Sequence, residues 1–388
     1  MKLFTLGLVV AVLGCGHSEP PTPEKVRARV PAPTPAPAAV ATPDPPPPPA
    51  PAPAPLSRSS DKAPAPAAKT PPPPPAPPPP PPPPPAAPAR ILPGLAAAVG
   101  TTGPVKKVRS LLIDKPGVYE NYLVDAEFGE HDAVRIKADN VVLRNCEIRN
   151  GQRDGIEVYA SDVLIENCSI HHFLNGKFKP AVDAHGITGQ PTRLTIRNCD
   201  IAYVSGDCIQ FDPGRKPWTD VLIDHCVLRT GPLPENAGGF KKGQRPGENA
   251  VDTKQHPSNP RSKLTIRNTV CHGWQQPAQI DNAAALNLKN HVDVKVENCV
   301  FYDNEISLRL RGPGGGTGGA WVTVTDSAFY TSEVAIRLED HIEHTRIVNP
   351  LFGAGVKERY TGEKKTGPGT ELGEGGEAPP LGTRLGRD

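Results

Sequence analysis

The sequence predicts an all-β solenoid of short parallel strands, and three observations carry that reading. An eight-residue unit recurs seven times: VVLRNCEI at 141–148, VLIENCSI at 163–170, LTIRNCDI at 194–201, VLIDHCVL at 221–228, LTIRNTVC at 264–271, VKVENCVF at 294–301 and VTVTDSAF at 322–329. A second short strand follows most copies: GIEV at 155–158, CIQF at 208–211, AVDT at 250–253, ALNL at 285–288, SLRL at 307–310 and AIRL at 335–338. The 51 prolines are concentrated in the first hundred positions, which hold 34 of them, and this confines the foldable region to 105–352.

Each eight-residue unit alternates apolar and polar residues, turns at a polar pair and enters another apolar strand. A unit of this size cannot bury its own apolar face, so successive copies stack as rungs and cover one another. The region 105–352 is long enough for one sizeable core.

Aligned as rungs, the units give columns. Asn145, Asn167, Asn198, Asn268 and Asn298 share one position, with His225 and Asp326 in the remaining copies. A column of amides at a turn satisfies backbone groups that the strands leave unpaired. This makes His225 a turn residue in preference to a catalytic acid. The next position holds Cys146, Cys168, Cys199, Cys226 and Cys299, read as small buried side chains in contact rather than as bridges. Cys208 and Cys271 fall off that column, and a bridge between them stays open. The cysteine spacings do not make a zinc site.

The chain ends read differently. MKLFTLGLVVAVLGCGHS combines Lys2, an apolar run and small residues before Cys15, the pattern of an export signal too short to span a bilayer. Residues 1–15 are therefore expected to be a signal peptide. The VLGC run at 12–15 resembles a bacterial lipobox, which implies cleavage before Cys15 and a lipid anchor on it. With Gly16 following, the resemblance implies an outer-membrane or cell-surface destination. Residues 16–104 read as a disordered proline/alanine-rich tether with extended polyproline character. Residues 353–388, rich in Gly and charge, read as a disordered tail. A net charge of +2 without a long basic run argues against nucleic acid as a partner.

The outward positions of the second strand form two further columns. One is Glu157, Thr188, Gln210, Asp252, Asn287, Arg309 and Arg337; the other holds Tyr159, Asp212, Lys254, Lys289, Arg311 and Glu339. Asp154, Asp183, His185, Asp207, Glu248 and Asn249 lead into the same strands. With rungs about 4.8 Å apart, Asp207, Asp212, Glu248 and Asp252 are expected on one patch, followed by Lys254, Lys289, Arg309 and Arg311. Insertions at 171–182 and 230–249, the latter with Lys241, Lys242 and Arg245, flank this face as groove walls.

The repeats over 105–352 resemble the right-handed parallel β-helix superfamily, the fold of pectate lyases and other polysaccharide-active proteins. VLIDHC at 221–226 resembles the WIDHC strand of family 1 pectate lyases, with Leu222 in place of tryptophan. The acidic rungs followed by Asp252 and Lys254 are more similar to family 9. That likeness implies Ca²⁺ held by Asp207, Asp212, Glu248 and Asp252, and Lys254 as a base with a depressed pKa. It also implies Arg309 and Arg311 as a clamp on the substrate carboxylate. His185, Lys289, Lys241 and Lys242 are the expected substrate contacts. The reaction implied is β-elimination, which needs a neutralised uronate carboxylate and a base at the adjacent carbon. The expected partner is an acidic polysaccharide and the expected state a monomer. A polygalacturonase-like hydrolase needs a fixed pair of aspartates, which the sequence does not present. The alternative is a non-catalytic β-helix that binds glycan or matrix.

Overall fold

The computed structural model describes residues 92–176, 183–214, 216–363 and 366–386. The signal peptide with Cys15, and the tether as far as residue 91, lie outside the described residues. So do 177–182 of the first insertion.

The described chain winds through three parallel sheets of eleven, ten and ten strands, and each sheet takes every third strand in order. One turn of the coil runs, for example, through Glu147–Gly151 in the first sheet, Ile156–Val158 in the second and Ser161–Glu166 in the third. Returns between parallel strands of one sheet take the right-handed sense. The architecture is the right-handed parallel β-helix that the repeats predict.

The strands form because their alternate residues have somewhere to go. Ile156, Ile187, Ile209, Val251, Leu286, Leu308 and Ile336 occupy successive rungs of the second sheet, all pointing inward and buried. Towards the C-terminal end of the coil Phe301, Phe329 and Phe352 continue the first sheet's inner column, stacked at 5.3 and 5.6 Å between ring centroids. These rings pack in the offset geometry that aromatic quadrupoles favour.

The asparagine column is a hydrogen-bonded ladder. Asn167 Nδ2 donates to Asn145 Oδ1 at 3.2 Å, Asn198 Nδ2 to Asn167 Oδ1 at 2.9 Å, and Asn298 Nδ2 to Asn268 Oδ1 at 2.8 Å. Every ladder position has a left-handed backbone, with φ between 50° and 54° from Asn145 to Asp326. Asn and Asp tolerate that conformation better than other side-chain-bearing residues, which explains the column's composition. His225 sits in it at φ 52°, its Nδ1 2.8 Å from Asp224 Oδ1, as a turn residue. The neighbouring cysteine column is fully buried. All seven described cysteines are free, Cys208 and Cys271 included.

Two boundaries need correction. Residues 353–386 are not a disordered tail. Glu358–Gly362, Glu371–Leu372 and Gly376–Glu377 add one more turn to the coil, one strand per sheet. Their short, Gly-rich strands hide the alternation on which strand recognition depends. The exposed apolar end of the solenoid still needs a cover, and this turn supplies it. Leu381–Leu385 then forms a helical turn whose Arg384 Nη2 donates to Asn298 Oδ1 at 2.8 Å and to the Asp326 carbonyl at 2.7 Å.

Nor does the tether extend to 104. Residues 92–104 run as a strap along the ladder. Gly94 N donates to the Asn268 carbonyl, Ala96 N and Ala97 N to Asn198 Oδ1, and Gly100 N to the Asn167 carbonyl. Composition alone does not separate the strap from the preceding proline block. Leu92 and Gly386 are neighbours, with an added Cβ at Gly386 falling 2.4 Å from the Leu92 side chain. Both ends of the folded unit therefore meet at the ladder edge between the third and first sheets, the edge that does not border the second sheet.

Candidate functional site

The outer face of the second sheet carries the first predicted column in full register. Glu157, Thr188, Gln210, Asp252, Asn287, Arg309 and Arg337 pair rung by rung, and Arg311 pairs with Glu339. The second insertion folds over one side of this face. Thr230 Oγ1 donates to the Pro246 carbonyl at 2.6 Å, and Glu248 N donates to the Gly206 carbonyl at 2.9 Å. Gly176 N reaches the Gly238 carbonyl at 2.8 Å, so the described root of the first insertion touches the second.

A cleft of about 300 Å³ opens on this face, bordered by Arg153, Asp154, Tyr159, Asp183, His185, Gln210, Asp212 and Lys254. Lys254 stands in it as a cation among acceptors. Its Nζ donates to Gln210 Oε1 at 2.6 Å and lies 3.7 Å from Asp212 Oδ1 and 3.6 Å from Asp252 Oδ2. One rung on, Lys289 Nζ is 3.0 Å from Asp252 Oδ1. Burial opposes the charge on Lys254, but the fields of Asp252, Asp212, Asp207 and Glu248 outweigh it and hold its pKa above the usual lysine range. The expected depressed lysine is thus corrected: this ammonium is stabilised because four carboxyl groups surround it.

The acids behind it are shifted the other way. Asp207 is wholly buried, and burial, followed by the charges of Asp252 and Glu248, drives its carboxyl well above the carboxylate range. Its Oδ1 accepts from Asn249 Nδ2 at 2.7 Å, while Oδ2 has no hydrogen-bond partner among the described residues. Asp183 and Asp154 are each raised to about 7, chiefly by burial. Glu248 is raised by burial and by Asp252. Asp252 is lifted by burial against the pull of Lys289 and Lys254. His185 is buried, its Nδ1 accepting from the Asp207 backbone N–H at 2.9 Å. Burial, then Lys254, lowers it to about 4, so it stays neutral.

Calcium fits this donor set poorly. Among the described residues no group of three His, Cys, Asp or Glu side chains is arranged to hold a metal ion. Asp212 and Asp252 turn their oxygens to lysine ammonium groups, and Asp207 is sealed beneath them. Ca²⁺ needs several oxygens converging on one point. Here two lysines take up the positions from which those oxygens would act.

The arginine clamp is also corrected. Arg309 Nη2 is 2.9 Å from Glu339 Oε2, Arg337 Nε is 2.8 Å from Glu339 Oε1, and Arg311 Nε is 2.7 Å from Asp340 Oδ2. Glu339 collects these arginines two and three rungs beyond Asp252, so they make an internal ion-pair network rather than an open clamp. Lys241 and Lys242 are exposed on the insertion and do not border the cleft. Conversely, Asp154, Asp183, Gln210 and Tyr159 do border it. The columns placed Gln210 and Tyr159 on this face but gave them no role.

Among comparisons with known proteins, the right handed beta helix region family matches residues 131–226. No curated protein matches the sequence. Similar solved structures include the pectate lyase Pel9A, at 13% identity over 73% of this chain and 69% of that one, TM-score 0.43. An alginate lyase from Paenibacillus sp. str. FPU-7 shares 12% identity over 70% of this chain and 87% of that one, TM-score 0.43. A mutant tailspike protein of E. coli bacteriophage HK620, in complex with a hexasaccharide, shares 11% over 65% and 43%, TM-score 0.41. The chain is a right-handed parallel β-helix protein whose charged, cleft-bearing face is the outer surface of its second sheet.

Proposed function

We propose that the protein is a carbohydrate-active β-helix that takes an acidic, uronate-containing polysaccharide along its second sheet and cleaves it by β-elimination. A solenoid face offers an extended binding surface with a chemical group every rung, about 4.8 Å apart, which suits a polymer better than a small molecule. The observation that carries the reading is the placement of Lys254 at the cleft, with Lys289 one rung on and the buried carboxyl groups of Asp207 and Asp252 beneath.

In this arrangement Lys289 and the Lys254 rung draw a uronate carboxylate to the cleft and offset its charge. Neutralising that carboxylate acidifies the proton on the adjacent carbon. Lys254, in its neutral amine form, then takes that proton; the carbon–carbon double bond forms as the neighbouring glycosidic C–O bond breaks, and the departing oxygen takes a proton from water. Because its neighbours hold Lys254 as an ammonium, the fraction able to act as base grows with pH, and the elimination speeds up towards alkaline pH. Calcium assistance enters as a variable of the assay.

The same ammonium state favours a second reading, binding without cleavage, at neutral pH. The two are separated by the ultraviolet absorbance of unsaturated uronate ends, followed with pectate, alginate and glycosaminoglycans from neutral to alkaline pH, with calcium or with chelator. Signal that rises with pH and disappears in Lys254→Ala supports the lyase. Polysaccharide binding without signal at any pH leaves the binding module. We further propose that the module is exported and held at the cell surface by a lipid on Cys15. The apolar run that ends in VLGC at 12–15 supports this reading.

A further inference from the structure

Tyr159 stands out on the cleft face. It is among the few large side chains left substantially exposed, at 46% of its accessible surface. Yet it is fixed in place. Its hydroxyl donates to Glu157 Oε1 at 2.8 Å, and Glu157 is gripped by the Nε of Arg135 on the preceding rung. Its backbone N–H donates to the Ile136 carbonyl at 2.9 Å. Burial and the neighbouring Glu157 raise the phenol to about 12, so the hydroxyl remains a donor throughout the physiological range.

The rung between Tyr159 and Lys254's neighbour Gln210 borders the cleft with Thr188, Gly189 and Gln190. Thr188 is nearly buried, and Gly189 has φ +123°, with an added Cβ falling 2.2 Å from the Val158 carbonyl oxygen. Only glycine fits there, because its backbone packs directly on Val158. Beyond Tyr159, Arg153 borders both this cleft and a wider hollow of about 800 Å³ over the first rungs, which opens a path along the helix axis.

We infer that Tyr159 is the stacking platform of a sugar subsite, and that the ligand lies along the helix axis from Tyr159, across Thr188 and Gly189, to Lys254. A rigid, exposed aromatic ring with an anchored hydroxyl loses little conformational entropy when the apolar face of a sugar ring settles on it. Tyr159, Asp212 and Lys254 are three, one and zero rungs from the lysine along their shared column, counting the intervening rung of Gln190. The span is therefore roughly 15 Å. Such a span requires an oligosaccharide, so a disaccharide at Lys254 cannot reach the ring. This inference rests on the acidic-polysaccharide reading and adds the direction and minimum length of its ligand.

The test is isothermal titration of the full chain with galacturonate, mannuronate and guluronate oligomers from two to six residues, for wild type, Tyr159→Ala and Tyr159→Phe. Expected is a gain in affinity with length that Tyr159→Ala cancels, weakening the hexamer about tenfold while leaving the dimer unchanged, with Tyr159→Phe close to wild type. Equal thermal midpoints confirm that the variants fold. If Tyr159→Ala does not fold, saturation transfer from the bound hexamer to the Tyr159 ring of the wild type decides instead. Wild-type binding that Tyr159→Ala leaves intact at every length, or weakens equally at every length, or a silent Tyr159 ring, overturns the platform alone. Absence of wild-type binding to all the oligomers overturns the acidic-polysaccharide reading, and the platform with it.

Discussion

Substitution of Asn198 by alanine tests how the ladder and strap hold the coil together. The Asn198 side chain is nearly buried, and its Oδ1 accepts from Ala96 N at 2.7 Å and Ala97 N at 3.0 Å. Its Nδ2 donates to Asn167 Oδ1 at 2.9 Å and to the Ala97 carbonyl at 3.2 Å. Alanine at φ 50° carries a left-handed penalty of about 1 to 2 kcal/mol. Leaving the strap N–H groups, Asn167 Oδ1 and the Ala97 carbonyl without these partners costs about 2 to 3 kcal/mol more. The sum is about 3 to 5 kcal/mol, or on the order of 10 °C in the melting midpoint of a domain of this size. Urea unfolding followed by circular dichroism measures it. Asn198→Gly separates the two parts: glycine relieves the strain but not the lost hydrogen bonds, so it should recover about 1 to 2 kcal/mol. A loss below about 1 kcal/mol in Asn198→Ala, or no difference between alanine and glycine, would refute the account of the ladder.

Two further outcomes follow from buried groups. Asp154 has a folded-state pKa of about 7, raised mainly by burial, so the folded protein binds a proton that the unfolded chain releases near pH 4. Its contribution is present at low pH and is lost as the pH rises through 7. Stability should therefore fall between about pH 6.5 and 8, by on the order of 1 kcal/mol, and Asp154→Asn should flatten that slope in pH-dependent urea titrations. Below about pH 6.5 His185 and His172, both lowered to about 4, act in the opposite direction; in the upper window Asp183, also raised to about 7, acts in the same direction as Asp154, so Asp154→Asn removes only its own share of the slope. The seven described cysteines are free and buried, with burial pushing thiols such as Cys168 and Cys199 well up. Reductant should leave the unfolding midpoint unchanged, and these thiols should resist alkylation until the protein is denatured; a midpoint that drops on reduction contradicts this.

The sequence made the repeating parts of the molecule legible because periodicity constrains many residues at once. Asn145, Asn167 and Asn198 fall in one column only if the rungs stack, and the same alignment puts Glu157, Gln210 and Asp252 in register. What it left unread lacked periodicity. The strap at 92–104 and the last turn at 358–377 contain glycine and proline where other rungs alternate, so their hydrogen bonds to the ladder and sheets were hidden. Within the site, column positions were legible but side-chain partners were not. Lys254 reads as a lysine of depressed pKa until Asp212 and Asp252 are seen to surround it. Arg309 and Arg311 read as a clamp until Glu339 and Asp340 are seen to occupy them. Such pairings depend on which neighbour a long flexible side chain turns to, and one sequence does not encode that in its spacing.

In the proposed function Lys254 performs β-elimination on an acidic polysaccharide at the second-sheet cleft. The most direct measurement is the initial rate of unsaturated-end formation against pH, on each acidic polysaccharide, for the wild type and Lys254→Ala. The account predicts a rate that climbs from neutral into alkaline pH and at least a hundredfold loss, about 3 kcal/mol of transition-state stabilisation, in a Lys254→Ala protein that folds normally. A Lys254→Ala variant as active as the wild type, or a wild type that yields no unsaturated ends from any of these polymers at any pH, would contradict it.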